Sequence, residues 1–78
     1  MNMRRYRYVE RDSATGTTLY EATGNSIEET ADKVGFDWDD AANLWAGVQP
    51  GSPVIDRDMD GKGGITYSRE FHIDIAEG

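Results

Sequence analysis

The stretch that decides the fold is "ITYSREFHIDI", Ile65 to Ile75. Ile65, Tyr67, Phe71, Ile73 and Ile75 occupy its odd positions, with Arg69 as the one polar intruder. Thr66, Ser68, Glu70, His72 and Asp74 occupy the even positions. A side-chain period of two, held over eleven residues, is the pattern of a long strand with one face buried. Such a strand needs partners for its backbone and a cover for its apolar face.

Both are found upstream. "MRRYRYVER", Met3 to Arg11, puts Tyr6 and Tyr8 on one face of an extended segment and Arg5, Arg7 and Val9 on the other. The turn-forming "DSATG" follows, and then "TTLYEAT" with Thr18, Tyr20 and Ala22 on a shared face, which reads as a hairpin. The arginine face is expected to be solvated or paired with acidic neighbours. "VIDRDM" is a further short β-prone run, although aspartate is a poor strand residue.

The middle of the chain is helical. Ser26 and Glu29 form a capping box ahead of Ile27, Ala31 and Val34, which share one face, and Gly35 suits a left-handed C-terminal cap. A second helix follows Asp37 as its cap, with Asp39 and Asp40 in the first turn, where the helix dipole favours anions. Its expected buried stripe is Trp38, Ala41, Ala42, Trp45 and Val48. "QPGSP" ends it. The order is strand, strand, helix, helix, strand, strand. The expected fold is α+β: an antiparallel sheet of about four strands with two short helices packed on one face.

Size and composition bound the function. The chain has 78 residues, enough for a single domain spanning 1–78, and chains this short bury only about 60% of their unfolded surface. It has no cysteine, which excludes a disulfide scaffold and thiolate metal sites and fits a reducing compartment. No apolar run approaches the roughly 20 residues that span a bilayer, and no signal segment opens the chain. The expectation is a soluble, cytoplasmic protein.

The net charge is −7, unevenly placed. Met1 to Arg11 carries four arginines against Glu10, or +3; the remainder has 4 basic and 14 acidic residues, or −10. An acidic surface repels nucleic acid and anionic membranes and favours basic partners. Solubility, or adaptation to high salt, would account for the same acidity without a partner.

"IDRDMDGKGGIT", Ile55 to Thr66, raises the question of a metal. Asp56, Asp58, Asp60 and Gly61 reproduce the first half of an EF-hand loop, and in that half the sequence resembles the EF-hand family. The resemblance implies calcium on those three aspartates. Position 12, where the loop requires a bidentate glutamate, is Tyr67, and a strand rather than a helix follows. Asp60-Gly61 is also a strong turn dipeptide, so a hairpin turn is the preferred reading and calcium the alternative.

Catalysis finds little footing. The single histidine, His72, falls on the polar face of the last strand and is expected to be solvated, and no nucleophile, metal-ligand or phosphate-loop spacing is present. "SIEETADKVGFDWDDAANLW" resembles in rhythm the start of a DNA-binding helix-turn-helix, but its second helix carries Asp37, Asp39 and Asp40 and no basic residue, so phosphate would repel it.

Binding remains. Glu28, Glu29, Asp32, Asp37, Asp39 and Asp40 lie close together with Lys33 as the only opposing charge, a window of −5. Carboxylates in rows on a small rigid domain imitate nucleic-acid phosphates and engage lysine- and arginine-lined grooves. A small, acidic, cysteine-free α+β chain of this kind is similar to the anti-CRISPR proteins of phages and mobile elements. That resemblance implies a non-enzymatic inhibitor, working as monomer or homodimer, that occupies the nucleic-acid-binding groove of a Cas effector in the host cytoplasm. Gly24, Ser26, Glu28 and Glu29 also resemble the "G-x-S-x-E-E" helix opening of HicB-type antitoxins.

Overall fold

The computed structural model describes the backbone of residues 2–77 and the side chains of residues 3–75. The elements are β1 (Asn2–Asp12), β2 (Thr18–Gly24), α1 (Ile27–Val34), α2 (Trp38–Trp45), β3 (Val54–Asp60) and β4 (Thr66–Glu77). The strands form one antiparallel sheet in the order β2-β1-β4-β3, with both helices packed on it. The α+β architecture expected from the alternation and capping signals is the one observed.

β4 and β1 form the centre. They pair from Asn2–Glu77 to Asp12–Tyr67, which places Tyr8 opposite Phe71 and Tyr6 opposite Ile73. These four side chains face the helices. The core adds Ala31 from α1, Ala41 and Trp45 from α2, and Val48 beyond it. Phe71 is fully buried and touches Trp45 edge-on at 5.0 Å and Tyr8 at 5.4 Å, between ring centroids. Edge-to-face contact suits rings whose faces are negative and edges positive. Trp45 also donates its indole N–H to the backbone carbonyl of His72 at 3.2 Å, which ties α2 to β4.

Arg69, the intruder on the apolar face, is accommodated by two contacts. Its guanidinium lies 5.5 Å from the centre of the Phe71 ring, and its Nε donates to Asp56 on β3 at 3.0 Å.

The helices follow their caps. Ser26 Oγ accepts from the Glu29 amide at 3.1 Å, and Glu29 in return accepts from the Asn25 amide at 3.1 Å. Gly35 takes the left-handed conformation (φ 92°) and its N–H reaches the Ala31 carbonyl, closing α1. Asp37 precedes α2 in the cap position, yet its side chain makes no capping bond. Gly24 is where α1 meets the sheet. A Cβ there would lie 2.6 Å from Thr30 Oγ1, and that hydroxyl donates to the Tyr6 carbonyl at 2.8 Å. Only glycine lets the helix approach so closely.

α2 departs from expectation. Ala41, Trp45 and Val48 are buried, but Ala42 is exposed and Trp38 is 59% exposed. The period correctly sets Trp38 in line with Ala41 and Trp45. It cannot tell that the first turn of α2 stands where no layer covers it, leaving the indole to face outward.

The face of the sheet without helices is sealed by ion pairs. Arg7 Nε donates to Asp74 at 2.9 Å, and Arg11 Nε donates to Glu70 at 2.7 Å. His72 Nε2 lies 2.7 Å from the second oxygen of Glu70; against an ionised carboxylate that nitrogen carries the proton. Val9, on this face, is completely buried beneath them. His72 is therefore part of a network rather than a solvated surface residue. Of the two alternatives anticipated for the arginine face, Arg7 and Arg11 take the paired one, while Arg5 is exposed and makes no ion pair among the described residues.

Candidate functional site

Six acidic residues of the helical segment are candidates for partner contact, and the fold gathers four of them. Asp32 near the end of α1, Asp37 in the connection, and Asp39 and Asp40 in the first turn of α2 line one open groove of about 580 Å³, together with Phe36 and Trp38. The groove exists because Gly35 turns the chain sharply between two short helices, which brings the end of one beside the start of the other. Glu28 and Glu29 lie outside it, a turn earlier on α1. Glu29 is also committed elsewhere, to the Asn25 amide and, at 3.7 Å, to Lys33.

Within the groove Trp38 has a fixed role. Its indole N–H donates to Asp32 Oδ1 at 3.0 Å, a bond between the helices. The donor is thus consumed, and the exposed part of the ring is apolar surface edged by carboxylates. Among the described residues no lysine or arginine lies within ion-pairing distance of Glu28, Asp32, Asp37, Asp39 or Asp40. Arg69 lines an adjoining groove with Asp40 but directs its Nε at Asp56.

The open sheet face behaves differently. Burial pushes the Glu70 carboxyl up, but the bonds to His72 and Arg11 outweigh it and hold that carboxyl below the usual range. The bond from Arg7 holds the Asp74 carboxyl down in the same way, and the Arg7 guanidinium is raised in return. On the opposite, helix-covered face, burial raises the Tyr8 phenol, and its 2.6 Å bond to Glu10 raises it further. Each shift favours the charge state that the group ordinarily has at neutral pH.

The three aspartates of the β3–β4 hairpin do not converge. Asp56 is paired with Arg69. Asp58 sits at the irregularity between Asp56 and Met59 with φ 60° and faces a groove shared with Arg11 and Arg57. Asp60 lines a third depression with Lys62 and Tyr67. The turn itself closes through Gly61 N–H to the Ile65 carbonyl at 2.7 Å, with Gly63 and Gly64 in left-handed conformations. Among the described residues no group of three or more histidine, aspartate or glutamate side chains is arranged to hold a metal ion. The alternation that mimics calcium-loop positions is here the spacing of an edge strand, where a bulge and charges discourage pairing with another chain.

The aromatic residues of the groove, Phe36 and Trp38, are absent from the set that acidic clustering selects. The signal that marks Trp38 is its flanking sequence, "DWDD": a tryptophan in the first turn of a short helix, with aspartate on both sides.

The chain matches no protein-family model, no curated protein and no solved structure. No helix among the described residues is long and apolar enough to cross a membrane.

Proposed function

We propose that this domain is a non-enzymatic inhibitor that binds a basic protein surface through the acidic groove between its two helices. The observation that carries this reading is the set of four aspartates, Asp32, Asp37, Asp39 and Asp40, around an exposed tryptophan, with no cation paired to them among the described residues. Unpaired like charges held together repel one another, and an arriving cationic surface relieves that repulsion. Exposed tryptophan is among the residues that anchor interfaces, and surrounding charge speeds encounter and fixes register.

The sharpest form of the proposal is nucleic-acid mimicry. The partner then is a nucleic-acid-binding groove lined by lysine and arginine, with a Cas effector as the example that the resemblance to anti-CRISPR proteins offers. Glu28 and Glu29 extend the acidic surface beyond the groove along α1.

The test is the double charge reversal Asp39→Lys with Asp40→Lys. Both side chains are exposed, so the variant should fold and should lose the partner. Binding by the parent domain should weaken steeply with added salt. Retention of the partner by the variant, without salt dependence in the parent, would refute the electrostatic reading.

A further inference from the structure

Trp38 permits a more specific statement about what enters the groove, and this statement rests on the reading above. A tryptophan exposed to 59% in a domain with so small a core forgoes burial that its neighbours on the same stripe obtain. It is also held rather than loose, because its N–H is bonded to Asp32 at 3.0 Å. With the N–H engaged, what the ring has left to offer is its face and its edge. The face carries the negative end of the ring quadrupole and attracts cations. Asp37, Asp39 and Asp40 line the same groove and add to that attraction.

We infer that Trp38 is the anchor of the interface and that it takes an arginine side chain of the protein partner, stacked flat on the indole with its N–H groups directed at the surrounding carboxylates. Arginine fits better than lysine for two physical reasons. Its planar guanidinium stacks on an aromatic face while its donors still point outward in the ring plane, and it is less strongly hydrated than an ammonium, so bringing it onto an apolar ring costs less. Lysine offers a compact, well-hydrated charge that the carboxylates attract as readily but the ring does not distinguish. Asp32 is a positioning residue in this arrangement, since it sets the orientation of the ring.

The experiment compares an oligoarginine and an oligolysine peptide of equal length binding to the whole domain at low salt. The indole N–H signals of Trp38 and Trp45 are followed by NMR, with assignment from Trp38→Phe. The oligoarginine should bind about two- to fivefold more tightly than the oligolysine and should move the Trp38 signal while leaving that of the buried Trp45 in place. In Trp38→Ala the preference should vanish while salt-dependent binding of both peptides persists. The variant is expected to fold, because it removes an exposed ring. Asp32→Asn, which keeps an acceptor, should retain more of the preference than Asp32→Ala, although both remove the same charge. Equal affinities for the two peptides in the parent domain, or a preference that survives Trp38→Ala, overturn the inference and leave the acidic-surface reading standing. Failure of both peptides to bind at low salt overturns both readings.

Discussion

The two charged surfaces of this domain are built from the same residue types and do opposite things. On the open face of the sheet the two β4 carboxylates are each paired with an arginine: Asp74 with Arg7, and Glu70 with Arg11, while the second oxygen of Glu70 meets His72. On the helical side Asp32, Asp37, Asp39 and Asp40 share a groove, with no cation among the described residues paired to them. The difference is topological. β1 carries the arginines and β4 the acids, and antiparallel pairing sets Arg7 opposite His72 and Val9 opposite Glu70, so the charges of one strand fall among those of the other. The two helices have no such partner above them. Paired charge therefore serves the fold, by roofing Val9, while unpaired charge is displayed. Net charge alone does not separate the two; the pairing does.

Four changes would break or sharpen that contrast. Glu70→Ala should have the largest effect on stability. It leaves Arg11 and His72 without their carboxylate, and it should cost about 2 kcal/mol, since Glu70 is nearly buried but Arg11 is partly exposed and screened. Urea unfolding measures this, and a loss near zero would mean that the pairs are ornamental.

The same network predicts a dependence on pH. Glu70 and Asp74 have lowered folded-state values, so the stability they contribute is present above their ordinary range and is lost as the pH falls through the lowered values. The gap in stability between the parent and Glu70→Gln should accordingly be full at neutral pH. It should close as the pH drops below 4.5, the ordinary glutamate value, toward the lowered one. A gap that widened on acidification would reverse the assignment.

Ser26→Ala should come next. Loss of its bond to the Glu29 amide should destabilise the domain by about 1 kcal/mol and fray the start of α1, with the groove at the other end of that helix retained. Thermal unfolding, together with the NMR signal of the Trp38 indole, reads both effects. The smallest change in stability belongs to Asp39→Lys with Asp40→Lys. Those carboxylates make no ion pair among the described residues, and the loss of their favourable placement at the start of α2, about 0.3 kcal/mol per exposed residue, is partly offset by relief of the repulsion among the four aspartates. The same double change should have the largest effect on binding. That inversion, strong for stability on one surface and strong for binding on the other, is what the contrast means.

Much of the fold is legible in the chain. The alternation from Ile65 to Ile75 gives β4, with Phe71 and Ile73 buried at its centre although Ile65 and Ile75 lie beyond the cover of the helices and are exposed; Ser26 and Gly35 bracket α1, and Gly61, Gly63 and Gly64 give the last hairpin. These are local signals, set by side-chain period and backbone freedom. The functional surface is less legible because it depends on what lies beside what. Trp38 shares a period with Ala41 and Trp45, and periodicity records direction around a helix without saying whether anything stands in that direction. His72 joins Glu70, two residues along its own strand, but the bond that completes the network comes from Arg11, 59 residues away in sequence. The three hairpin aspartates illustrate the converse. Close in sequence and at ligand spacing, they would share one face of a regular strand, and the irregularity between Asp56 and Met59, with Asp58 at φ 60°, breaks that arrangement.

The most direct measurement of the central claim is competition with duplex DNA for a nucleic-acid-binding partner recovered with the parent domain as bait. The account predicts that the parent displaces the DNA, that its affinity falls steeply between about 50 and about 200 mM salt, and that the Asp39→Lys, Asp40→Lys variant displaces none. Simultaneous binding of DNA and domain, or equal displacement by the charge-reversed variant, would contradict it.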